Sequence, residues 1–156
     1  MEKAIASSLF IIASVVATIA LINAVLPALG KSSGALVSAN AAASDRIRTD
    51  IEILHATGDT SAKTVTFWVK NIGTTTIKDI TVSDIFLDTP SSVNRLSYTS
   101  GCSSDCWDYA LEGGATVWKQ SKTVKFTLTL STLDSGVYSV RLSVFNGVSA
   151  DKDFSV

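Results

Sequence analysis

The sequence opens with MEKAIASSLFIIASVVATIALINAVLPALGK, residues 1–31, and no charged side chain occurs between residues 4 and 30. A helix needs about 20 apolar residues to cross a bilayer, so this segment is long enough to span one. A secretory signal peptide instead has a basic start, a shorter apolar run and a small-residue cleavage site, which makes cleavage the less favoured interpretation. The segment therefore predicts a hydrophobic helix that lies in a membrane or packs against other helices.

Two neighbouring rows of side chains predict that this helix packs against several others. In the first row, the residues are separated alternately by four and three positions, as in a heptad repeat. Its members are Ile5, Leu9, Ile12, Val16, Ile19, Asn23 and Leu26. The second row is mostly alanine and contains Ala6, Phe10, Ala13, Ala17, Ala20 and Ala24. Because small side chains let helix backbones approach closely, we expect a helix-packing core made by the first row together with the last four of these alanines.

The end of the apolar run leaves alternatives open. Asn23 either sets the register of packed helices or lies near lipid headgroups at little cost. Pro27 lacks an amide donor and clashes with the preceding turn, so we expect it to kink or end the first helix. The alanine-rich segment that follows favours helix to about residue 46, a total length of about 65 Å. A flexible linker rich in serine, alanine and glycine is the alternative.

From Ile51 onward the hydrophobic period changes to two, which is typical of half-buried strands. Seven or eight such strands in about 105 residues predict a β-sandwich. The fold class is therefore α+β, with a long N-terminal hydrophobic helix followed by an antiparallel, immunoglobulin-like β-sandwich. We place the domains at residues 1–48 and 49–156. Asn146-Gly147 predicts a hairpin with a type I′ turn, since both residues accept positive φ angles.

The alternation also predicts which side chains face the core of the sandwich. Four segments each present one apolar face, and in the second of them Asp84 breaks the alternation. The predicted faces are Val65, Phe67 and Val69; Ile80, Val82 and Phe86; Val124, Phe126, Leu128 and Leu130; and Tyr138, Val140, Leu142 and Val144.

The composition contains little that could support catalysis or nucleic-acid binding. His55 is the one histidine, and no Gly-x-Ser-x-Gly elbow, phosphate-binding loop or dinucleotide fingerprint occurs. The net charge of −1 and the lack of a basic stripe give no reason to expect nucleic acid. We therefore expect no enzyme, no catalytic residue and no cofactor. Five aspartates of the second half are interpreted as solvated turn carboxylates rather than a calcium site. They are Asp79, Asp84, Asp88, Asp105 and Asp108.

Cys102 and Cys106 lie in the segment GCSSDCWD. Their spacing is compatible with a small disulfide loop, with half of a metal site or with two free thiols. The metal interpretation lacks a second pair of ligands, so no metal site is expected. An exported domain favours the disulfide, which would fix the loop that presents Trp107 and Tyr109.

The whole architecture resembles the archaellin superfamily, the type IV pilin-like proteins of the archaeal swimming filament. Three segments carry the resemblance: AIASSLFIIASVVATIALINAV (residues 4–25), TVTFWVKNIGTTTIKDITVSDIFL (64–87) and LDSGVYSVRLSVFNGVSADKDFSV (133–156). The last two are especially similar to the accessory archaellum proteins F and G, which are assigned to the stator. Archaellins are made with a short charged leader that a prepilin-type peptidase removes. Since residues 1–3 are not such a leader, we expect that the numbering starts at a processed chain or that the leader is lacking. Ile5 stands where bacterial type IV pilins usually carry glutamate, which favours the archaeal branch.

The resemblance implies a structural subunit of an extracellular archaellum filament that serves swimming motility. Such a subunit waits in the membrane, passes through the archaellum export and motor platform, and polymerises with copies of itself through its N-terminal helix. The alternatives are a membrane-anchored stator or adaptor whose sandwich binds the surface layer, an adhesion pilin, and a single-span sensor. We expect the filament subunit because the two rows on the helix favour self-packing.

Overall fold

The computed structural model describes residues 2–156. One helix, α1, spans Glu2–Arg48, and eight strands follow it. The strands are β1 (Ile51–Asp59), β2 (Thr64–Asn71), β3 (Asp84–Asp88), β4 (Val93–Tyr98), β5 (Cys106–Leu111), β6 (Thr123–Thr129), β7 (Val137–Ser143) and β8 (Ser149–Ser155). Short 3-10 turns lie at Ile80–Val82 and Glu112–Gly114. The described residues form two compact units that divide between Ala42 and Ala43, whereas the domain boundary after residue 48 stays a prediction.

Helix α1 continues through Pro27, so of the two outcomes expected for this proline, a kink or an end, the end is wrong, and so is the flexible linker. A proline inside a helix removes one hydrogen bond, here the bond to the carbonyl of Asn23, while the alanine-rich flanks keep a high helix propensity. Ser14 and Thr18 satisfy their hydroxyls within the helix, through bonds of 2.8 Å to the carbonyls of Ile11 and Ser14. By length and composition, α1 could cross a membrane.

The eight strands form a sandwich in which the order of neighbours is β1-β2-β6-β5-β4-β3-β7-β8. One sheet contains β1, β2, β6 and β5, and the other contains β4, β3, β7 and β8. All of these pairs are antiparallel, as predicted. The two sheets meet where β4 and β5 pair in parallel, through Ser97 opposite Cys106 and Tyr98 opposite Trp107. The predicted α+β sandwich is therefore confirmed, with this one parallel contact as its departure from an antiparallel design.

The core lies between the two sheets, and three of the four predicted faces are confirmed. Phe67 on β2 lies opposite Phe126 on β6, with ring centroids 5.1 Å apart. The predicted residues of β2 and β6 are fully buried, and those of β7 are buried through Val144; Leu130, beyond the end of β6, is half-buried. Trp107 and Trp118 fill the remaining space at the centre. Alternation therefore identified the central strands correctly, because each of them buries one face against the opposite sheet.

Ile80 is buried as predicted, but the predicted strand face of Ile80, Val82 and Phe86 is wrong. Residues 80–82 form a 3-10 turn, the strand begins only at Asp84, and Val82 is 59% exposed. The inward side chains of β3 are Ile85 and Leu87. Strand register determines which face of the sheet a side chain occupies, and here it pairs Ile85 with Leu96 and Leu142. The inward positions of β3 are therefore shifted by one residue from the predicted Phe86.

The hairpin between β7 and β8 is confirmed, but its predicted type I′ turn is wrong. Val144 and Val148 close a three-residue loop, since the amide of Val144 donates to the carbonyl of Val148 at 2.9 Å. The amide of Gly147 donates to the carbonyl of Val144 at 2.8 Å. Within this loop, positive φ is confined to Gly147, at 77°, whereas a type I′ turn requires positive φ at Asn146 as well. The side chain of Asn146 has a different use, described below.

Candidate functional site at the base of the sandwich

The last residues of α1, from Ala43 onward, belong to the same compact unit as the strands. The loop after β2 holds their backbone. The amides of Ile72 and Gly73 both donate to the carbonyl of Asp50 at 3.0 Å. The amides of Thr74 and Thr75 donate to the carbonyl of Arg48 at 2.8 and 3.1 Å. The last carbonyls of a helix have no partner within the helix, and here loop amides supply one for Arg48.

Gly73 allows this close approach. A Cβ atom on Gly73 would overlap the backbone nitrogen of Asp50 and come within 2.5 Å of the carbonyl oxygen of Arg48. Only glycine, which has no Cβ, fits between these backbone atoms. The segment NIGTTT, residues 71–76, leads out of β2 and holds the end of the helix through these bonds. We call residues 71–75 the clasp.

Asn71, which lies inside the sandwich, stabilises the clasp through hydrogen bonds. Its side chain is fully buried, and the amide nitrogen donates to the carbonyl of Thr75 at 2.8 Å and to that of Trp118 at 3.2 Å. Its backbone carbonyl accepts a bond of 2.7 Å from the amide of Ser121. Buried polar groups are costly unless they are hydrogen-bonded, so these contacts fix the start of the clasp relative to the loop before β6.

A second contact joins the helix end to the β7–β8 hairpin. Thr49 is 4% exposed, and its hydroxyl donates to the carbonyl of Asp45 at 2.7 Å. The same hydroxyl oxygen accepts a bond of 2.8 Å from the side-chain amide of Asn146, which also lies 3.4 Å from the carbonyl of Asp45. We call this contact between Thr49 and Asn146 the latch. Sequence reasoning assigned Asn146 to a turn alone and missed the latch, because its partner lies 97 residues away in the chain.

The cysteine loop lies elsewhere on the sandwich. The structure joins Cys102 and Cys106 in a disulfide, with Cα atoms 5.7 Å apart. Asp105 within the loop accepts bonds from the amide and the hydroxyl of Ser131, at 2.9 and 3.0 Å. These bonds stabilise the carboxylate, above all the bond from the Ser131 amide, and lower the pKa of Asp105. The loop is thereby tied to the connection between β6 and β7.

The expectation that this loop presents Trp107 is wrong. Trp107 is fully buried, and its indole nitrogen donates to the carbonyl of Leu96 at 3.1 Å. Its ring lies 5.0 Å from that of Tyr98, and Tyr109 beside it is half-buried. A large aromatic side chain with a satisfied polar atom is typical of a core, and no signal in the sequence distinguishes a buried Trp107 from one displayed on the surface.

The other predicted site residues lie apart from the clasp. Both rows of α1 have exposed side chains in the single chain; Ile5 and Leu26, at the two ends of the first row, are 60% and 61% exposed. Their packing against other helices stays a prediction.

Among the residues described, no group of three or more His, Cys, Asp or Glu side chains could hold a metal ion. Asp84 is paired with Arg95 at 2.8 Å, through the Nε atom.

Comparison with known proteins identifies the relatives of this helix and sandwich. The sequence model of archaeal-type flagellin matches residues 2–154, which includes both the helix and the sandwich. The chain belongs to the archaeal-type flagellin family. An uncharacterized protein of Archaeoglobus fulgidus is 30% identical to this flagellin-family chain over 161 residues, which cover 99% of this chain and 98% of the relative.

Solved structures of archaellum proteins share the fold of this flagellin-family protein. The archaellum periplasmic stator protein FlaG from Sulfolobus acidocaldarius is similar with a TM-score of 0.58 and 25% identity, over 68% of this chain and 99% of that one. A chain of the FlaF–FlaG stator complex of the same organism gives 0.57 and 24%, over 67% and 87%. The flagellin FlaB1 from Methanocaldococcus jannaschii gives 0.59 and 12%, over 69% and 90%.

These findings confirm the resemblance to the archaellin superfamily. The chain is an archaellum-related structural protein of the cell surface, not an enzyme. The solved structures that share its fold include both a flagellin and stator proteins.

Proposed function

We propose that this protein is a membrane-anchored stator component of the archaellum. One observation carries the proposal: the stator protein FlaG is 25% identical to this chain and is covered over 99% of its length. The likeness to the flagellin FlaB1, at 12% identity, supports a shared fold and nothing more specific. The proposed function therefore differs from the filament subunit that we expected from the rows of α1.

The anchor in this arrangement is the apolar part of α1. Residues 4–30 are uncharged and long enough to cross the hydrocarbon core, and Lys31 is the first charged residue after them. The sandwich lies outside the membrane and contacts other fixed parts of the machinery. Its partners are a second stator protein or the surface layer, since a stator must be held against rotation.

The contacts of the clasp support a stator function. A stator transmits force between its anchor and its partner, and force passes well only through a stiff connection. The junction between α1 and β1 is held by four backbone bonds to the carbonyls of Arg48, the last residue of α1, and Asp50, and by the latch at Thr49. These bonds favour a stiff connection between the sandwich and the end of α1.

A filament subunit is the second candidate, and the row of alanines on α1 favours it. A lone helix in lipid gains little from small side chains, whereas a helix in a filament core uses them to approach its neighbours. In this arrangement the chain polymerises with copies of itself after export from the membrane, and the motor platform turns the polymer. The sandwich then forms the outer shell of an extracellular filament.

Fractionation of the source cells separates the two candidates. Filaments are sheared from the surface, purified, inspected by negative-stain electron microscopy and identified by mass spectrometry. The stator proposal expects this chain in the membrane fraction and other proteins in the filaments. Long thin filaments composed mainly of this chain would overturn it and favour the filament subunit.

A single substitution on α1 gives an independent test. Ala17→Phe places a large ring in the alanine row, and Leu21→Phe adds the same ring outside both rows as a matched control. As a stator with a lipid-facing helix, the protein should tolerate both changes and remain in the membrane fraction. Loss of assembly with Ala17→Phe but not with Leu21→Phe would show that the helix packs closely against other helices.

A further inference from the structure

We propose that Asn146 is a site of spontaneous deamidation, and that this modification permanently opens the latch between the β7–β8 hairpin and the end of α1. The inference is independent of whether the protein acts as a stator or as a filament subunit. It rests on the residue that follows Asn146, on the hydrogen bonds of its side chain and on the charge at the helix end.

The sequence makes Asn146 the most reactive asparagine of the chain. The other four asparagines are followed by Ala24, Ala41, Ile72 and Arg95, whereas Asn146 is followed by Gly147. Deamidation begins when the backbone nitrogen of the following residue attacks the side-chain carbonyl carbon of asparagine. A following glycine hinders this attack least, since it has no Cβ and its backbone turns freely.

The reaction needs only water. The nitrogen of Gly147 forms a bond to Cγ of Asn146 and loses its proton, and the bond from Cγ to the side-chain nitrogen breaks. Ammonia leaves, and a five-membered succinimide ring remains. Water then opens the ring at either carbonyl, which yields aspartate or isoaspartate. No oxidation or reduction takes place.

The latch restrains the reacting groups in the folded protein. The side-chain nitrogen of Asn146 donates to the Thr49 hydroxyl at 2.8 Å, and its oxygen accepts a bond of 3.3 Å from the amide of Val148. The amide of Gly147, the attacking group, donates to the carbonyl of Val144 at 2.8 Å. Since the side chain must rotate and the glycine amide must be released, opening of the latch precedes the reaction.

The product cannot re-form the bonds that the Asn146 amide nitrogen donates to Thr49 and to the carbonyl of Asp45. A carboxylate has no proton to donate to the Thr49 hydroxyl or to the carbonyl of Asp45. It would also lie at the C-terminal end of α1, the negative pole of the helix, which disfavours an anion. Isoaspartate adds a methylene to the backbone of the three-residue loop and disturbs the turn as well. The modification therefore acts in one direction and accumulates with the age of the molecule.

The first experiment measures the rate of deamidation in the full chain in detergent micelles at mildly alkaline pH. Peptide mapping by mass spectrometry follows the conversion of each asparagine, and Asn94, which is exposed, is the internal control. We expect conversion at Asn146 alone. Thr49→Val removes the acceptor of the latch and should raise the rate about fivefold, the change in open population expected for one hydrogen bond of ordinary strength. Thr49→Ser retains the hydroxyl and should react at nearly the wild-type rate.

Equal rates in Thr49→Val and in the wild type would overturn the role of the latch, and conversion at Asn94 before Asn146 would overturn the choice of site. Should Thr49→Val fail to fold, the wild type in urea replaces it, and the unfolded chain must then deamidate faster than the folded one.

The second experiment tests the consequence of the modification. Asn146→Asp carries one of the two products, and Asn94→Asp is its matched control on β4. Hydrogen exchange of the amides of residues 45–49 should become faster in Asn146→Asp and remain unchanged in Asn94→Asp. Unchanged exchange in Asn146→Asp would show that the helix end does not depend on the latch.

Discussion

The backbone of Gly73 lies directly against the backbone of Asp50, and no side chain fits between them. The carbonyls of Arg48, at the end of α1, and Asp50, just beyond it, can accept four loop amides only because position 73 has no Cβ. The clasp therefore requires glycine at position 73, and even alanine, which adds a single methyl group, should disturb it.

Gly73→Ala should destabilise the sandwich by about 1–3 kcal/mol, because the added methyl overlaps fixed backbone atoms rather than a flexible side chain. Urea unfolding of the full chain, followed by tryptophan fluorescence, measures the change. Gly34→Ala is the control, since no atom lies within 4 Å of its added Cβ and alanine favours a helix. If both variants unfold at the wild-type urea concentration, the close approach at Gly73 is not structurally important.

Asn71→Asp should cost about 3 kcal/mol at neutral pH, because a buried carboxylate faces the carbonyls of Thr75 and Trp118 where the amide donated to both. Burial raises the carboxyl pKa in the folded variant above its unfolded value. The folded state then binds more protons between the two pKa values, so the stability of the variant should rise as the pH falls through the folded pKa toward the lower unfolded pKa. Unfolding curves at several pH values test this.

Asn94→Asp, on the exposed part of β4, is the control for this pH dependence. It should show neither the loss at neutral pH nor the recovery in acid. A loss in Asn71→Asp that does not change with pH would contradict the predicted burial of the charge.

Asp105 should contribute a pH dependence of the opposite sign. Its folded pKa is lowered from 3.8 by the bonds from Ser131, so the folded state binds fewer protons than the unfolded state. The stabilisation is present above the unfolded pKa and is lost as the pH falls through the lower folded pKa. Asp105→Asn keeps an oxygen acceptor and tolerates the positive φ of 52° at this position, but it does not titrate. Its stability should therefore fall less than that of the wild type over the acid range, which thermal unfolding can measure.

Replacement of Cys102 and Cys106 by serine should lower stability by no more than about 2 kcal/mol, because the disulfide closes a very short loop. The two bonds from Ser131 to Asp105 remain and still hold the loop. Calorimetry of the double variant tests this. A chain that failed to fold without the disulfide would mean that the bond organises far more of the sandwich than its own loop.

The sequence was sufficient for the central strands of the sandwich and for the length of α1. Phe67, Phe126 and Val140 could be assigned to the core because each lies in a strand with one face against the opposite sheet, which makes alternation reliable. The phase of β3 could not be assigned, since a 3-10 turn at Ile80–Val82 precedes the strand and resembles it in hydrophobic pattern.

The clasp and the latch could not be predicted because both are tertiary contacts. Asn-Gly is compatible with a two-residue loop and with a longer loop that has glycine at the positive-φ position. In the folded chain the side chain of Asn146 bonds to Thr49, and local preference contains no information about such a partner. In the same way, nothing beside Gly73 in the sequence indicates that the end of a helix lies against it.

The division of the chain between Ala42 and Ala43 has a practical meaning for domain engineering. A fragment that starts at the first strand would leave Thr74 and Thr75 without the carbonyl of Arg48 and Asn146 without Thr49. A fragment that starts at Ala43 keeps every one of these partners. The best position at which to divide the chain therefore lies inside the helix. A foreign coiled coil joined to Ala43, in register with the remaining helix, could present the intact sandwich.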